Sequence, residues 1–376
     1  MSEKAYYYWL VNIPKLKAAS RRILLEAAGT AKEVYNLSGK MLSTLLQDEQ
    51  LERVKVSKIC WDVEKEYERL QQKDICFTAY GMRDYPSRLL HIPSPPAALY
   101  YKGKLPKDSL PSVAIIGARK CSEYGSYVAK EFGSKLGAAG IQIISGLAMG
   151  IDGISQNAAV TVGAESFGVL GCGVDICYPR CNRSIYEKVV EKGGVLSEFS
   201  PGTEPRAQNF PSRNRIISGL ADLVLVVEAK EKSGTSITVD MALEQGREVY
   251  AVPGRVTDEL SKGCHKLIRQ GAGIASAPED IISALYYEET ALIHGKKSVE
   301  VSDASSFLID TLTENERTVW SVLDKLPQDI QGIQERLKEK KAALSIQETM
   351  SILMDLSVRE VITAKNGGYM KKEVFL

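Results

Sequence analysis

The sequence predicts an α/β fold: a Rossmann-like, doubly wound parallel sheet with a smaller helical domain before it and a winged-helix domain after it. Three observations lead to this prediction. Residues 1–76 show helical periodicity, residues 77–297 alternate apolar runs with helix-length segments, and residues 306–376 combine three helical patterns with a hairpin signal. A chain of 376 residues is long enough for two or three domains.

The N-terminal region, residues 1–76, contains short helical patterns separated by glycine. Apolar residues recur at helical spacing over Ile23–Leu25 and Val34–Leu37, and Gly29 lies between them. Short helices broken by glycine are typical of SAM-like and helix-hairpin-helix modules, which bind DNA or proteins, and equally of a plain helical cap. Prolines between residues 84 and 97 then predict a linker.

The central region, residues 77–297, predicts the parallel sheet. Its strands are predicted within the apolar runs Val113–Gly117, Ile141–Gly146, Ser166–Gly171, Gly194–Glu198, Leu223–Glu228 and Val249–Gly254. Each run is apolar on both faces, and helix-length segments separate most of them. Strands of this kind belong to a parallel sheet that helices cover on both sides.

The C-terminal region, residues 306–376, begins with a capping box, in which Thr313 and Glu316 precede an apolar helical pattern. Two further helical patterns follow, and Asn366-Gly367 predicts a tight hairpin turn. Three helices and a hairpin are typical of a winged helix. Winged helices bind DNA or dock proteins, and the sequence leaves both interpretations open.

The composition restricts the kind of partner and the compartment. The chain has 48 basic and 47 acidic residues, so a polyanion would have to bind in a local basic cleft. We expect a cytoplasmic protein without a membrane partner, because the sequence has neither a secretory signal pattern nor an apolar run of about 20 residues. Cys172, Cys177 and Cys181 lack metal-ligand spacing, so we predict no metal and interpret them as incidental thiols.

Glycine-rich turns follow several of the predicted strands, at the sheet edge where open α/β folds bind ligands. In the first turn, Gly117 allows close approach of a ligand and Arg119 offers a planar fork that matches a phosphate. Arg119 stands where a dinucleotide-binding turn needs its second glycine, so we predict no NAD or other cofactor. In the second turn, Gly146 lies beside the first turn, and Asp152 is expected to cap the next helix rather than to contact a ligand.

The fourth crossover carries a basic cluster, Arg213-Asn214-Arg215, with Arg206 upstream. Several arginines at the carboxyl edge of a sheet favour phosphate binding, although each one alone is compatible with a surface salt bridge. Phe210 is compatible with base stacking and with a core contact. We expect this cluster to precede a helix.

The fifth turn, Ser233-Gly234-Thr235, is expected to cap the next helix and to expose amides to an anion, and it is not a Walker A loop. None of the three histidines falls in a motif with a nucleophile, so we predict no catalytic residues.

These turns, in this order, resemble the DprA/Smf family of DNA-processing proteins. The matching motifs are Gly117-Ala-Arg119, Ser145-Gly-Leu-Ala-Met-Gly-Ile-Asp152, Gly171-Cys-Gly-Val-Asp-Ile-Cys-Tyr-Pro179, Phe210-Pro-Ser-Arg-Asn-Arg-Ile-Ile-Ser-Gly-Leu220, and Glu228 with Ser233-Gly-Thr235. The resemblance covers roughly residues 80–285. It implies a protein that binds single-stranded DNA without sequence preference, forms a homodimer through the Rossmann-like domain and helps to load RecA recombinase during natural transformation.

The resemblance also implies that Arg119 binds DNA phosphate and that a second basic residue precedes Phe210, for which Arg206 is the candidate. These two arginines, the glycine-rich turns and the basic cluster together form the predicted DNA-binding set. Its members are Gly117, Arg119, Gly146, Arg206, Phe210, Arg213, Asn214, Arg215, Ser233, Gly234 and Thr235. The alternative is a nucleotide hydrolase related to the lysine-decarboxylase-like phosphoribohydrolases. Those enzymes carry a Pro-Gly-Gly-x-Gly-Thr loop, whereas this chain has Lys232-Ser-Gly-Thr-Ser236, with Glu244 as the downstream carboxylate, so we predict a binding protein and not an enzyme.

Overall fold

The computed structural model describes residues 2–293, 313–323, 328–340, 344–358, 362–365 and 368–371. It divides into two compact units, Met1–Leu292 and Ile293–Leu376. The boundary predicted after residue 76 falls within the first unit and stays a prediction. The predicted boundaries at residues 297 and 306, and the Asn366-Gly367 turn, lie outside the described residues.

Six helices form the start of the first unit: α1 (Glu3–Asn12), α2 (Ala18–Ala28), α3 (Ala31–Asn36), α4 (Gly39–Leu45), α5 (Asp48–Cys60) and α6 (Val63–Gln71). Gly29 ends α2 with φ at +85°, and Thr30 starts α3 through a capping box with Glu33. These local signals explain why the helices are short. Their apolar faces enclose Trp9, Leu10 and Leu24, which are fully buried. The SAM-like assignment of these helices stays a prediction.

The sheet has nine strands: β1 (Cys76–Ala79), β2 (Ala98–Gly103), β3 (Ser112–Ile116), β4 (Gln142–Ser145), β5 (Ser166–Val169), β6 (Gly194–Ser197), β7 (Leu223–Val226), β8 (Glu248–Ala251) and β9 (Gly273–Ile274). Their order is β1-β2-β6-β5-β4-β3-β7-β8-β9. The strands from β6 through β9 in this order pair in parallel, which confirms the predicted α/β fold. β1 and β2 add an antiparallel edge that the apolar runs did not predict.

Helices cover both faces of the sheet: α7 (Glu123–Ala138), α8 (Ile151–Thr161), α9 (Arg183–Lys192), α10 (Asn209–Leu220), α11 (Gly234–Glu244), α12 (Lys262–Arg269) and α13 (Pro278–Ile293). Alternate residues of β3 take opposite sides. Val113 and Ile115 pack with α7 and α8, while Ala114 and Ile116 pack with α10, α11 and α12. In the sheet, β3 lies between β4 and β7. The strand order therefore reverses between β3 and β7, and the carboxyl ends of these two strands flank the crevice where such folds bind ligands.

One expectation about α10 was wrong. The sequence analysis placed Arg213-Asn214-Arg215 before a helix, whereas α10 already begins at Asn209 and includes all three residues. Pro211 lies in the first turn of this helix, where a proline removes no intrahelical hydrogen bond. The basic cluster therefore lies on a helix.

The second unit contains α14 (Glu314–Val322), α15 (Ile330–Glu339), α16 (Ile346–Val358) and an antiparallel pair, β10 (Ile362–Lys365) with β11 (Gly368–Lys371). The capping box of Thr313 and Glu316 is present at the start of α14. The buried centre of this unit includes Val319, Ile333 and Leu353. Its assignment as a winged helix stays a prediction.

Within the ranges that the structure describes, no helix is long and apolar enough to cross a membrane. In the same ranges, no group of three or more His, Cys, Asp or Glu side chains is placed to hold a metal ion.

Candidate functional site

A cavity of about 680 Å³ opens at the carboxyl edge of the sheet, and we call it the Arg119 cavity. Its walls come from the turns after β3, β4 and β7 and from one face of α10. Eight of the eleven predicted site residues line it: Gly117, Arg119, Phe210, Arg213, Asn214, Ser233, Gly234 and Thr235. Its volume lies within the range of ligand-binding pockets.

Two glycines fix the first two turns against each other. A Cβ on Gly117 would lie 2.7 Å from Cγ1 of Ile151 and 2.9 Å from the carbonyl oxygen of Glu228. Gly150 has φ at +75°, and a Cβ there would lie 2.2 Å from the carbonyl oxygen of Ala118. Only glycine permits this backbone contact, and the amide of Ile151 donates to Ala118 O at 3.2 Å. Arg119 therefore projects from a well-supported loop.

Arg119 lies over an aromatic surface. Its guanidinium carbon is 5.5 Å from the centre of the Phe210 ring, a cation–π geometry. The Phe210 ring is half-buried and lies 5.6 Å, centre to centre, from the ring of Tyr178 at an angle of 30°. The sequence analysis did not select Tyr178, which carries no charge and no glycine signal. Arg213 also lies against the Phe210 ring, at 5.9 Å from its centre, so Tyr178 is the more exposed of the two rings. The arrangement places a cation beside two aromatic rings at the cavity wall, which suits a phosphate next to a base.

Arg213 is buried beneath this surface, with 5% of its area exposed. Its Nη1 donates to the carbonyl oxygens of Gly146 and Val169, and its Nε donates to Asn214 Oδ1 at 3.2 Å. Burial lowers the pKa of Arg213 to about 10, with Asp152 acting in the opposite direction. The side chain therefore stays cationic at neutral pH. Its protein contacts make it a support for the floor of the cavity.

Gly146 does not line the cavity. It lies so close to Arg213 that position 146 has no room for a side chain. A Cβ on Gly146 would lie 2.7 Å from both terminal nitrogens of Arg213. The neighbouring carboxylate of Asp152 accepts a hydrogen bond from the Gly146 amide at 3.1 Å. Burial raises the pKa of Asp152, and Arg213 acts against this shift.

The expectation that Asp152 caps its helix was wrong. The N-cap of α8 is Gly150, and Asp152 lies in the first helical turn with its carboxylate directed back to the preceding turn. Asp152 thus joins the turn after β4 to the start of α8. It also lines the Arg119 cavity.

Ser233 is the N-cap residue of α11, but its hydroxyl forms no capping bond. The Ser233 Oγ is buried and has no hydrogen-bond partner among the residues described. The first amides of a helix also lack intrahelical partners. A hydroxyl and helix-terminal amides therefore lie at the wall of the cavity, where an acceptor oxygen of a ligand would satisfy them.

Two predicted arginines lie outside this cavity. Arg206 is exposed, although its neighbours Pro205 and Ala207 line the cavity. Arg215 lines a different cavity, where its Nη2 donates to both carboxylate oxygens of Glu198 at 2.7 and 2.8 Å and its Nε donates to the Ser94 carbonyl oxygen. The Arg-Asn-Arg motif is therefore divided by α10.

Two basic residues that the sequence analysis did not select line the Arg119 cavity. Lys120 follows Arg119, and Lys230 follows the carboxyl end of β7; both are exposed. Their positions directly after predicted strands were the signal that could have identified them. Together with Arg119 they give the cavity mouth a positive charge.

The family model and the relatives most similar in sequence indicate the same family. The family model of DNA recombination-mediator protein A matches residues 76–286. DNA processing protein DprA of Streptococcus pneumoniae is 40% identical over 209 residues, which make up 55% of this chain and 74% of that protein. The X-ray structure of DprA from Streptococcus pneumoniae superposes with a TM-score of 0.66 at 32% identity, covering 76% of this chain and 99% of that one.

A second solved structure is DprA from Helicobacter pylori, described for its unique single-stranded DNA binding mode. It superposes with a TM-score of 0.51 at 25% identity and covers 57% of this chain and 98% of that one. The α/β fold with a mostly parallel sheet is therefore common to this chain and both relatives.

Proposed function

From the premise that this chain belongs to the DprA/Smf family of DNA-processing proteins, we propose that it binds single-stranded DNA without sequence preference and acts as a recombination mediator. In this role it helps to load RecA recombinase onto DNA taken up during natural transformation. It works in the cytoplasm as a homodimer formed by the Rossmann-like part of the chain. The RecA partnership and the dimer rest on family membership.

The observation that carries the proposal is the pairing of Arg119 with Phe210 in a cavity of glycine-rich turns. A guanidinium binds a phosphate through a planar fork of donors, and an exposed ring face stacks on any base. One nucleotide of a strand offers both groups side by side. The relative from Helicobacter pylori, described for a single-stranded DNA binding mode, supports the same assignment.

The shape of the cavity favours a single strand over a duplex. Its wall residues lie in a recess between loops, where a flexible strand can place a phosphate and an unstacked base. A duplex keeps its bases stacked inside and presents only its backbone to a recess of this kind. Ring stacking and phosphate contacts do not distinguish one base from another, so we expect little sequence preference.

A gel-shift series with single-stranded and duplex DNA at two salt concentrations tests this proposal. We expect tighter binding of the single strand and weaker binding at the higher salt concentration. A preference for duplex DNA would contradict the proposal. Incubation with nucleoside monophosphates tests the alternative, because release of free base would indicate a phosphoribohydrolase.

The partners need separate measurements. Light scattering at micromolar concentration is expected to give the mass of two chains, and a monomer would contradict the dimer. RecA filament formation on DNA coated with a single-strand-binding protein is expected to become faster when this protein is added. An unchanged rate would contradict the loading role while leaving DNA binding intact.

A further inference from the structure

A second cavity, of about 500 Å³, lies within the first unit, and we call it the Arg21 cavity. Its walls come from α1, α2, the linker around Pro95 and the carboxyl end of β6. Its apolar and aromatic lining includes Tyr7, Leu10, Val11, Tyr80 and Pro95. The proposed function makes no use of it.

The charged side chains of this cavity are mostly basic. Arg21, Arg22 and Arg215 line it together with a single carboxylate, that of Glu198. Glu198 binds Arg215 through both oxygens, which neutralises one of the three cations. Three positive charges against one negative charge leave a formal charge of +2, which suits a dianion.

Arg21 has a buried donor that no group among the described residues satisfies. Its Nε is inaccessible to solvent and has no hydrogen-bond partner in the part of the chain that the structure describes. Burial lowers the pKa of Arg21, and Tyr100 and Glu198 act against this shift. An unpaired buried donor on a charged group destabilises a fold, and a ligand oxygen in the cavity would remove that cost.

The neighbouring surface suits a planar, partly apolar group. Tyr80 is 36% exposed and, with Pro95 and Val11, forms a wall beside the arginines. Aromatic rings and proline faces pack against nucleobases and sugars, and guanidinium groups bind phosphate. A phosphate carries nearly two negative charges at neutral pH when it is a monoester, which matches the charge of the cavity.

We propose that the Arg21 cavity binds a nucleotide, with Arg21 and Arg22 holding its phosphate and the wall at Tyr80 contacting its base. This site is distinct from the Arg119 cavity. The nucleotide has two possible sources: a free mononucleotide, whose monoester phosphate is the dianion, or a DNA strand that also occupies the Arg119 cavity and brings two successive phosphodiesters of one negative charge each. Only the second source rests on the function proposed for the Arg119 cavity.

The sheet geometry is compatible with one strand reaching both cavities. Glu198 follows β6 and Arg119 follows β3, and the order β6-β5-β4-β3 separates these strands by three steps. At about 4.8 Å a step, their carboxyl ends lie roughly 14 Å apart. A stacked strand covers this distance in about four nucleotides at about 3.4 Å each.

Thermal unfolding of the full chain with added dTMP tests the site, with thymidine and inorganic phosphate as the comparison ligands. The experiment is done in an Arg119→Ala background, so that binding in the Arg119 cavity does not contribute. We expect stabilisation by dTMP that exceeds the effect of either comparison ligand. Arg21→Met is expected to weaken the apparent dTMP affinity by about tenfold or more.

Arg53→Met is the matched control. Arg53 lies in the same helical part of the chain and also has a buried Nε without a partner in the described ranges, but it does not line the cavity. We expect it to leave dTMP binding unchanged. Glu198→Gln removes the one negative charge of the cavity and is expected to strengthen dTMP binding severalfold.

The source of the nucleotide is tested with oligo-dT of increasing length and an intact Arg119. If the strand supplies the nucleotide, affinity increases when the oligomer becomes long enough for both cavities, and Arg21→Met removes this increase while Arg53→Met keeps it. If a free nucleotide is the ligand, dTMP binds as above and the length dependence is the same in both variants. The proposal is overturned when Arg21→Met and Arg53→Met behave alike with dTMP and with every oligomer.

The unfolding temperature of Arg21→Met without ligand distinguishes a ligand-binding role of Arg21 from a purely structural one. Without ligand, Arg21→Met is expected to unfold at the same temperature as the parent chain or higher, because it removes an unsatisfied donor. A large loss of stability combined with unchanged dTMP binding would show that Arg21 supports the fold only.

Discussion

Replacing Arg119 by alanine is the sharpest test of the Arg119 cavity. The side chain is exposed, and its prominent contact is the cation–π arrangement over Phe210. A charge-assisted hydrogen bond to phosphate contributes about 1.5–3 kcal/mol. At about 1.4 kcal/mol for each factor of ten, Arg119→Ala should weaken single-strand binding by roughly 10- to 150-fold.

The assay is fluorescence anisotropy with a labelled oligo-dT at several salt concentrations. Loss of one phosphate contact should also reduce the slope of log K against log salt by about 0.7. Loss of an exposed cation–π contact alone changes the free energy of unfolding by only about 0.5–1 kcal/mol, so thermal unfolding should shift little.

Arg183→Ala is the control for Arg119→Ala. Arg183 lies on α9 outside the cavity, and its side chain is 77% exposed and paired with Glu187. We expect this variant to bind DNA like the parent chain. Unchanged affinity and an unchanged salt slope in Arg119→Ala, with normal unfolding, would refute the assignment of this residue to the DNA site.

Three more results are expected. Phosphate contacts by the three exposed cations of the cavity, Arg119, Lys120 and Lys230, should give a salt slope of roughly −2, and a slope near zero would move the DNA site elsewhere. Phe210→Ala should weaken single-strand binding by about 1–3 kcal/mol if one base stacks there, whereas Phe210→Tyr, which keeps a ring, should bind nearly normally. Burial raises the pKa of Cys172 to about 11 and that of Cys264 to about 12. A raised pKa lowers the reactive thiolate fraction, to roughly one in a thousand for Cys172 at pH 8. Mass spectrometry after iodoacetamide treatment should therefore find the exposed Cys60, Cys76 and Cys181 modified first.

The strands at the centre of the sheet were predictable because both of their faces are buried. Residues such as Val113 and Ile115 on one face, and Ala114 and Ile116 on the other, leave an uninterrupted apolar run in the sequence. β1, Cys76–Ala79, is an edge strand with a mixed composition. Such a strand is held by its partner rather than by its own pattern, so sequence alone did not identify it.

The division of the arginine motif shows where sequence reasoning about the site stops. Arg213 and Arg215 are two residues apart, and each residue of an α-helix turns about 100°. On a helix they therefore point in nearly opposite directions, one beneath the Arg119 cavity and the other into the Arg21 cavity. The sequence analysis expected the helix to begin after these residues, so it interpreted the motif as a single cluster. The residue types alone indicated a basic cluster. The sequence did not show where α10 begins, and that start decides which cavity each arginine faces.

The environment of Glu228 explains why this Rossmann-like sheet does not present the usual diphosphate site. In dinucleotide-binding folds, the amides at the start of the first crossover helix hold the pyrophosphate. Here the helix in that position is α7, and its N-cap residue Ser122 donates its amide to Glu228 Oε2 at 2.9 Å and its hydroxyl to Glu228 Oε1. A Cβ on Gly125 would lie 2.2 Å from the same carboxylate, which is 3% exposed.

The buried Glu228 carboxylate thus already occupies the place of an anion at the start of α7. A ligand phosphate near the start of α7 must therefore be held by a side chain, and Arg119 extends from the loop that Glu228 secures. Amide cradles suit a compact diphosphate, because several short donors converge on one point. A guanidinium beside an aromatic ring can hold one phosphate and one base and leave the strand free to continue in both directions. The replacement of the amide site by Arg119 and Phe210 is therefore the structural reason to expect a polymer, rather than a dinucleotide, at this edge.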